Sequence, residues 1–235
     1  GNFEPSPRSV SPALNANLAS LFTGGAPTLT SAEIKEVNDA YAKMTSINCY
    51  RNIDEAVRNK TSYAGTIFLD DTYASAYFRK GSLAFPPYGI LASSMEHEFI
   101  HMYQRDVQGK KVDTDKEKRD TGMMEFELAF YQGIIRYIHA GYSWTFKGED
   151  GDPSYQSLWT SGLTDPSLIP QYEREFQTYV ASICANGKPT SIDINEFVKW
   201  SNIFGEYSRG YSGKGYKFGN YDYGTSCINS LLKLY

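Results

Sequence analysis

The chain has 235 residues, of which 41% are hydrophobic and 21% charged, so it can bury a substantial core and is expected to be an ordinary globular protein. Its formal net charge of −4 and its lack of a basic stripe give no reason to expect nucleic-acid binding. No apolar run approaches the roughly 18 residues that a membrane span needs, so the sequence predicts no transmembrane segment.

Residues 1–27 have the Pro- and Ser-rich composition of a linker, which is expected to become a partly ordered arm near Leu14 to Phe22. The chain begins at a Gly, and its 19 tyrosines suit an exported protein. We therefore expect export to the periplasm or the cell surface, with the targeting segment removed. Residues 28–235 show no repeat and no internal boundary, which predicts one domain.

The first half of this domain is predicted to hold two helices and a small sheet. Thr30-Ser-Ala-Glu33 is a capping box, and it opens a helix in which apolar residues recur at helical spacing as far as Met44. A short second helix is predicted over Ile53–Asn59. The sheet that follows has candidate strands at Gly65–Asp70, Tyr73–Arg79 and Ser82–Phe85.

Four further helices and a short closing helix are predicted in the rest of the chain. One follows Pro86-Pro87, carries His97 and His101, and should end near Gly109. The next runs over Met123–His139, capped by Asp120 or Thr121, and is apolar enough to be buried. Another begins at Pro170 and ends at Asn186-Gly187, and one more is opened by Asp193 and runs through Phe204. A Gly/Tyr-rich segment, 205–224, and a short closing helix complete a mostly helical α+β fold.

The three cysteines, Cys49, Cys184 and Cys227, are odd in number and lie far apart. Their spacing matches neither a C-x-x-C metal site nor a disulfide framework. We expect buried free thiols, with one disulfide pair as the alternative.

Residues 97–101 read His-Glu-Phe-Ile-His, which is the most informative pattern in the chain. On a helix, positions i and i+4 lie on one face about 5–6 Å apart at Cβ, so His97 and His101 could bind one metal ion. Glu98 lies beside them, where it could polarise a water. The remaining histidine, His139, is expected at a helix end, and Glu96 is expected to be a solvated carboxylate.

A catalytic zinc site needs a third protein ligand. Metzincins supply it as H-x-x-G-x-x-H, but Gln104 and Val107 stand where the Gly and the last His would be, which excludes that subclass. A glutamate of the next helix is the alternative, and Glu125 and Glu127 are the candidates. Because they diverge by about 200° on a helix, only one can face the metal.

We favour Glu125 of these two glutamates. It shares a helical stripe with smaller groups, including Leu128, Ala129 and Gln132, which would let two helices approach. The stripe of Glu127 resembles a core face, because it contains Phe130, Ile134 and Ile138. Glu127 stays the alternative third ligand.

Segment 64–138, about a third of the chain, resembles short zincins of the gluzincin kind, and most closely bacterial zincin-like proteins with the pattern HExxHxYQ followed by ExE. Here the pattern reads His97-Glu98-Phe-Ile-His101-Met-Tyr103-Gln104, then Glu125-Phe-Glu127. The resemblance implies a zincin-like domain in which His97, His101 and Glu125 bind zinc and Glu98 activates water. It also implies an edge strand, for which Ser82–Phe85 is the candidate, that pairs with an extended substrate.

These roles predict a zinc metallopeptidase acting on a peptide or protein substrate. Zinc would lower the pKa of a water towards about 7, and Glu98 would transfer its proton to the leaving amine. The residues that could stabilise the oxyanion are Tyr73, Tyr77 and Tyr88.

A rival hypothesis comes from the tyrosines of the Gly/Tyr-rich segment: Tyr207, Tyr211, Tyr216, Tyr221 and Tyr223. Packed on the core, they would form a hairpin or a long loop. Exposed, they would form an aromatic platform for a glycan or a peptide, and the protein would be an exported binding module with a non-catalytic metal site.

Overall fold

A computed structural model of the chain describes residues 12–111, 119–139 and 163–235. The chain divides into two compact units, Gly1–Met102 and Tyr103–Tyr235. The predicted division into an arm over 1–27 and one domain over 28–235 stays a prediction, and residues 1–11 of the arm lie outside the described residues.

Four helices of the first unit are α1 (Ala16–Leu21), α2 (Ser31–Thr45), α3 (Asn48–Lys60) and α4 (Ala92–Met102). The predicted capping box opens α2: the Glu33 N–H donates to Thr30 Oγ1 at 3.2 Å, and the Thr30 N–H donates to Glu33 Oε1 at 2.9 Å. Helix α3 begins five residues before the predicted start at Ile53, because Cys49 and Tyr50 add a buried turn at its beginning.

The first unit also contains the predicted sheet, with strands β1 (Ile67–Leu69), β2 (Tyr77–Arg79) and β3 (Ser82–Phe85) in the order β1-β3-β2. Strand β3 is parallel to β1 and antiparallel to β2, and Leu83 is in register with both Ile67 and Phe78. The prediction that Ser82–Phe85 is an edge strand is therefore wrong. This strand is central because one neighbour pairs with each of its two sides.

Helix α4 carries the His-Glu-Phe-Ile-His sequence and packs against α2 and α3. Its inward face buries Met95, Phe99, Ile100 and Met102, and the Phe99 ring lies 6.3 Å from the ring of Tyr41. The residues after α4 form a π-helical segment, Tyr103–Val107, which belongs to the second unit. Gly109, with φ +72°, follows the segment, in agreement with the predicted end of the helix.

Helix α5 (Arg119–His139) is the longest helix in the described part of the second unit. It begins before the predicted start, so Asp120 and Thr121 lie inside its first turn, and the prediction that one of them caps the helix is wrong. Its phenylalanines pack on two later helices, α6 (Ile169–Ile183) and α7 (Ile194–Tyr207), with ring centroids 5.6 Å apart for Phe130 and Phe176 and 5.0 Å apart for Phe126 and Phe197. The predicted burial of this helix is confirmed.

Helix α6 has Pro170 in its first turn, as predicted, but it ends at Ile183. Asn186 and Gly187 both have positive φ and form a two-residue turn between β4 (Cys184–Ala185) and β5 (Lys188–Pro189). Asn186 and Gly187 therefore connect the two strands of a short hairpin, and the prediction that they end the helix is wrong.

The remaining elements complete the second unit. Asp193 caps α7 by accepting the N–H of Asn195, and the helix runs to Tyr207, past the predicted end at Phe204. The Gly/Tyr-rich segment that follows consists mainly of turns, and α8 (Ser226–Lys233) closes the chain.

The described structure confirms a mostly helical α+β class with a small sheet before the histidine-bearing helix. None of the three cysteines, all of which lie in the described ranges, forms a disulfide; Cys49 and Cys227 are buried and Cys184 is half-buried. No helix within the described ranges is long and apolar enough to span a membrane.

Candidate metal centre

The two histidines of α4 face each other across one helical turn. Their Nε2 atoms lie 3.1 Å apart, and their ring centroids are separated by 4.8 Å at an interplanar angle of 77°. Two nitrogens bound at 2.0–2.1 Å to one tetrahedral zinc ion would lie roughly 3.3 Å apart. The spacing of His97 and His101 therefore fits a shared ion.

A third donor joins the two imidazoles. One ligand atom each from His97, His101 and Glu125 lies within 4.8 Å of the others, and all three residues are half-buried. Two imidazole nitrogens and one carboxylate oxygen are a donor set of catalytic zinc sites, which leave a fourth position for water. This group could hold a metal ion.

The other candidate glutamate, Glu127, is fully buried in the interior of the second unit. Its Oε1 accepts a hydrogen bond from Gln104 Nε2 at 2.9 Å and another from the Tyr223 hydroxyl at 2.7 Å. Burial raises the pKa of this carboxyl, against the opposing effect of the two hydrogen bonds. The surroundings of Glu127 are those of a core residue, as its apolar stripe on α5 indicated.

Glu98, the candidate general base, is buried beside the histidine pair. It is 5% exposed, and its Oε1 lies 4.0 Å from His97 Nε2. Glu96 is half-buried on the same helix, and His139 ends α5 as expected, with its ring 5.8 Å from that of Tyr235.

Tyr211 contacts the candidate ligand Glu125, and the sequence did not assign it this role. Its hydroxyl donates a hydrogen bond to Glu125 Oε2 at 3.1 Å across 86 residues of sequence. The Tyr211 ring packs at 5.2 Å on Phe204 of α7 and at 5.3 Å on Tyr216. The only sequence signal for this contact was the abundance of tyrosine in the Gly/Tyr-rich segment, which does not indicate the residue that each tyrosine contacts.

The three tyrosines suggested for the oxyanion differ in their surroundings. The Tyr77 hydroxyl donates to Asp70 Oδ2 at 2.6 Å, and partial burial with this hydrogen bond raises the pKa of Tyr77 to about 12. Tyr73 and Tyr88 are exposed, to 42% and 80%. The Tyr77 proton is therefore engaged by Asp70, and an oxyanion role for any of the three tyrosines stays a prediction.

The tyrosines of the Gly/Tyr-rich segment do not form a continuous exposed platform. Tyr223 is buried, Tyr207, Tyr211 and Tyr216 are half-buried, and Tyr221 is 56% exposed. A stacking surface for a glycan needs adjacent exposed ring faces. This arrangement does not favour the binding-module hypothesis.

In comparisons with known proteins, no family model, curated protein or solved structure matches this chain. The resemblance to gluzincins therefore depends on the residues of segment 64–138 themselves. The chemistry of His97, Glu98, His101 and Glu125 is therefore the guide to function.

Proposed function

We propose that this protein is a zinc-dependent peptidase in which His97, His101 and Glu125 bind the metal and Glu98 is the general base. The observation that supports this proposal is the group of three donor atoms within 4.8 Å, with Glu98 adjacent to His97 on the same helix. A peptide or protein is the proposed substrate.

Zinc is the ion we propose because the donor set contains two imidazoles and one carboxylate. Imidazole also suits copper, iron and nickel, whereas Mg²⁺ and Ca²⁺ prefer oxygen ligands throughout. Tetrahedral His₂Glu coordination with one open position is a known arrangement for catalytic zinc. Zinc content therefore has to be measured against the competing transition metals.

Each residue has one role in the proposed reaction. When bound, zinc lowers the pKa of a water towards about 7 and polarises the scissile carbonyl. Glu98 accepts the proton that the attacking water releases and delivers it to the leaving amine as the C–N bond breaks. The low exposure of Glu98 suits this role because a carboxylate removed from bulk water interacts more strongly with its neighbours.

The test compares Glu98→Gln with Glu96→Gln, which makes the same change two positions earlier on α4. Metal content is measured by mass spectrometry, and activity by hydrolysis of a library of internally quenched peptides. We expect Glu98→Gln to keep zinc but to lose activity about 10²–10⁴-fold. Glu96→Gln should keep both.

A second pair of variants tests the metal ligands. His101→Ala should lose zinc and hydrolysis together, whereas His139→Ala, the matched loss of a histidine outside the group, should keep both. Wild-type protein without stoichiometric metal would overturn the proposed site. Hydrolysis that survives in Glu98→Gln would overturn the proposed mechanism.

A further inference from the structure

Gln104 lies in the π-helical segment of the second unit, three residues after His101 in the sequence, and its side chain is completely buried. The Gln104 amide nitrogen donates two hydrogen bonds, one to the carbonyl oxygen of Met124 and one to Oε1 of Glu127, both at 2.9 Å. A glutamine amide has two N–H donors, so both are used. The two acceptors lie on either side of Glu125 along α5.

We infer that Gln104 is a positioning residue for the metal ligand Glu125. Gln104 hydrogen-bonds to α5 immediately before and shortly after this ligand. These two hydrogen bonds fix the position of α5 along its axis and the direction in which the Glu125 side chain points. The inference depends on the proposed metal site. It adds a positioning role for a residue outside the group of three donors.

The geometry of α5 explains why two hydrogen bonds from Gln104 are enough to position Glu125. The hydrogen bond to the main-chain carbonyl of Met124 fixes the helix along its axis, and the hydrogen bond to the Glu127 carboxyl fixes the rotation of the helix about that axis. Glu125 lies about 200° around the helix from Glu127, so holding Glu127 inward turns Glu125 to the opposite side. The two glutamates therefore have different roles, one as a ligand and the other as an anchor.

The Glu127 anchor is held by a further donor from the second unit. The Tyr223 hydroxyl donates to the same Oε1 at 2.7 Å. Lys110 Nζ in turn donates to the Tyr223 carbonyl at 2.6 Å and lies 4.0 Å above the Tyr223 ring. A buried polar network that engages several elements selects one packing arrangement more strictly than apolar contacts do.

Gln104 lies within a π-helical turn. The Gln108 N–H donates to the Tyr103 carbonyl at 3.0 Å, a hydrogen bond that spans five residues instead of four. Single π-helical turns occur frequently at functional sites. Here the π-helical turn begins directly after the helix that carries both histidines.

The experiment measures zinc affinity by chelator competition and the visible spectrum of the Co²⁺-substituted protein. Gln104→Met removes both donors and keeps the side-chain length, and Glu127→Gln keeps an acceptor for Gln104. Tyr137→Phe is the matched control, because it removes the buried hydrogen bond to Glu173 towards the far end of α5. All variants are first checked for folding by circular dichroism.

We expect Gln104→Met to raise the zinc Kd by about 10-fold or more and to alter the Co²⁺ spectrum, as loss of supporting residues commonly does. Glu127→Gln should bind zinc within about twofold of wild type and keep the wild-type Co²⁺ spectrum, because its amide oxygen replaces the carboxylate acceptor. Tyr137→Phe should lower the thermal stability without changing the zinc Kd or the spectrum. If Gln104→Met does not fold, Gln104→Asn, which is too short to reach both acceptors, is measured in the same way.

Two results would overturn the inference. Wild-type affinity and a wild-type Co²⁺ spectrum in the folded Gln104 variant would show that Glu125 does not need this anchor. An equal loss of affinity in Tyr137→Phe would show that general stability is responsible. Failure of the wild-type protein to bind zinc or Co²⁺ would instead overturn the proposed metal site, and the inference with it.

Discussion

The Tyr211 hydroxyl donates a hydrogen bond of 3.1 Å to Oε2 of Glu125, the candidate metal ligand of α5. A carboxylate ligand with one oxygen held in this way has fewer orientations available, and partners of this kind tune metal affinity. Tyr211 also connects the Gly/Tyr-rich segment to the candidate centre, although 86 residues of sequence separate the two side chains.

Replacement of Tyr211 by Phe should therefore weaken metal binding. We expect the zinc Kd of Tyr211→Phe to rise about 10-fold, because Glu125 loses its donor while the ring packing is kept. The accompanying loss of stability should be about 0.5–1.5 kcal/mol, the usual value for one hydrogen bond. Chelator competition measures the first quantity and urea unfolding the second.

Tyr221→Phe is the control for this prediction. It removes a hydroxyl of the same segment that donates to Asn195 on the surface of the second unit. Zinc affinity should be unchanged in this variant. Equal affinities for wild type, Tyr211→Phe and Tyr221→Phe would contradict an orienting role for the Tyr211 hydroxyl.

The sequence predicted the elements of the fold better than their arrangement. The capping box at Thr30 and the bounds of β3 follow from local patterns, which is why both were predicted correctly. The order β1-β3-β2 depends on pairing between strands that are not adjacent in sequence, so the central place of Ser82–Phe85 was missed. Hydrophobic periodicity indicates which face of a strand is buried but not which neighbours it has.

The same limit applies to the candidate centre. Helical spacing was sufficient to bring His97 and His101 together, and the apolar stripe of Glu127 indicated a core position for it. The contact of Tyr211 with Glu125 has no local pattern and needed the fold. Gln104 belonged to the quoted motif, but its partner Glu127 could be identified only from the structure.

Metal binding should stabilise the folded protein measurably. A free zinc concentration 100 times the Kd adds about 2.7 kcal/mol to the free energy of unfolding, which raises the Tm of a chain of this size by roughly 5–10 °C. Excess chelator should remove the increase in wild type. His139→Ala should keep it, and a zinc-dependent increase of the same size in His101→Ala would contradict the assigned ligands.

Gly205 lies inside α7, and a side chain there would meet the next segment of the chain. A Cβ at this position would overlap Cγ and Cδ2 of the Phe218 ring. Gly205→Ala should therefore destabilise the second unit by about 1–3 kcal/mol, although alanine is the better helix former by about 1 kcal/mol. Urea unfolding of the variant measures this difference.

The matched background for this prediction is Phe218→Ala, which removes the overlapping ring. In that background Gly205→Ala should be neutral or stabilising, because only the helix propensity remains. If Gly205→Ala lowers the free energy of unfolding by the same amount with and without the Phe218 ring, steric overlap is not the cause of the destabilisation.

The stability of the first unit should depend on pH through the buried carboxyl group of Asp54. Asp54 of α3 is 1% exposed, and its Oδ2 accepts the Tyr41 hydroxyl at 2.6 Å and Arg58 Nε at 3.0 Å. Burial raises the pKa of Asp54 above its usual value of 3.8, while the hydrogen bonds from Tyr41 and Arg58 oppose the change. The folded state therefore holds this proton more tightly than the unfolded state does.

A raised carboxyl pKa contributes stability that is complete below the unfolded pKa and is lost as the pH rises through the folded pKa. Asp54→Asn has no proton to lose, so the free energy of unfolding of wild type relative to this variant should fall as the pH rises from below the unfolded pKa of about 3.9 to neutral pH. Urea unfolding of both proteins across this range measures the difference. A difference that stays constant or increases with pH would show that burial does not dominate the titration of Asp54.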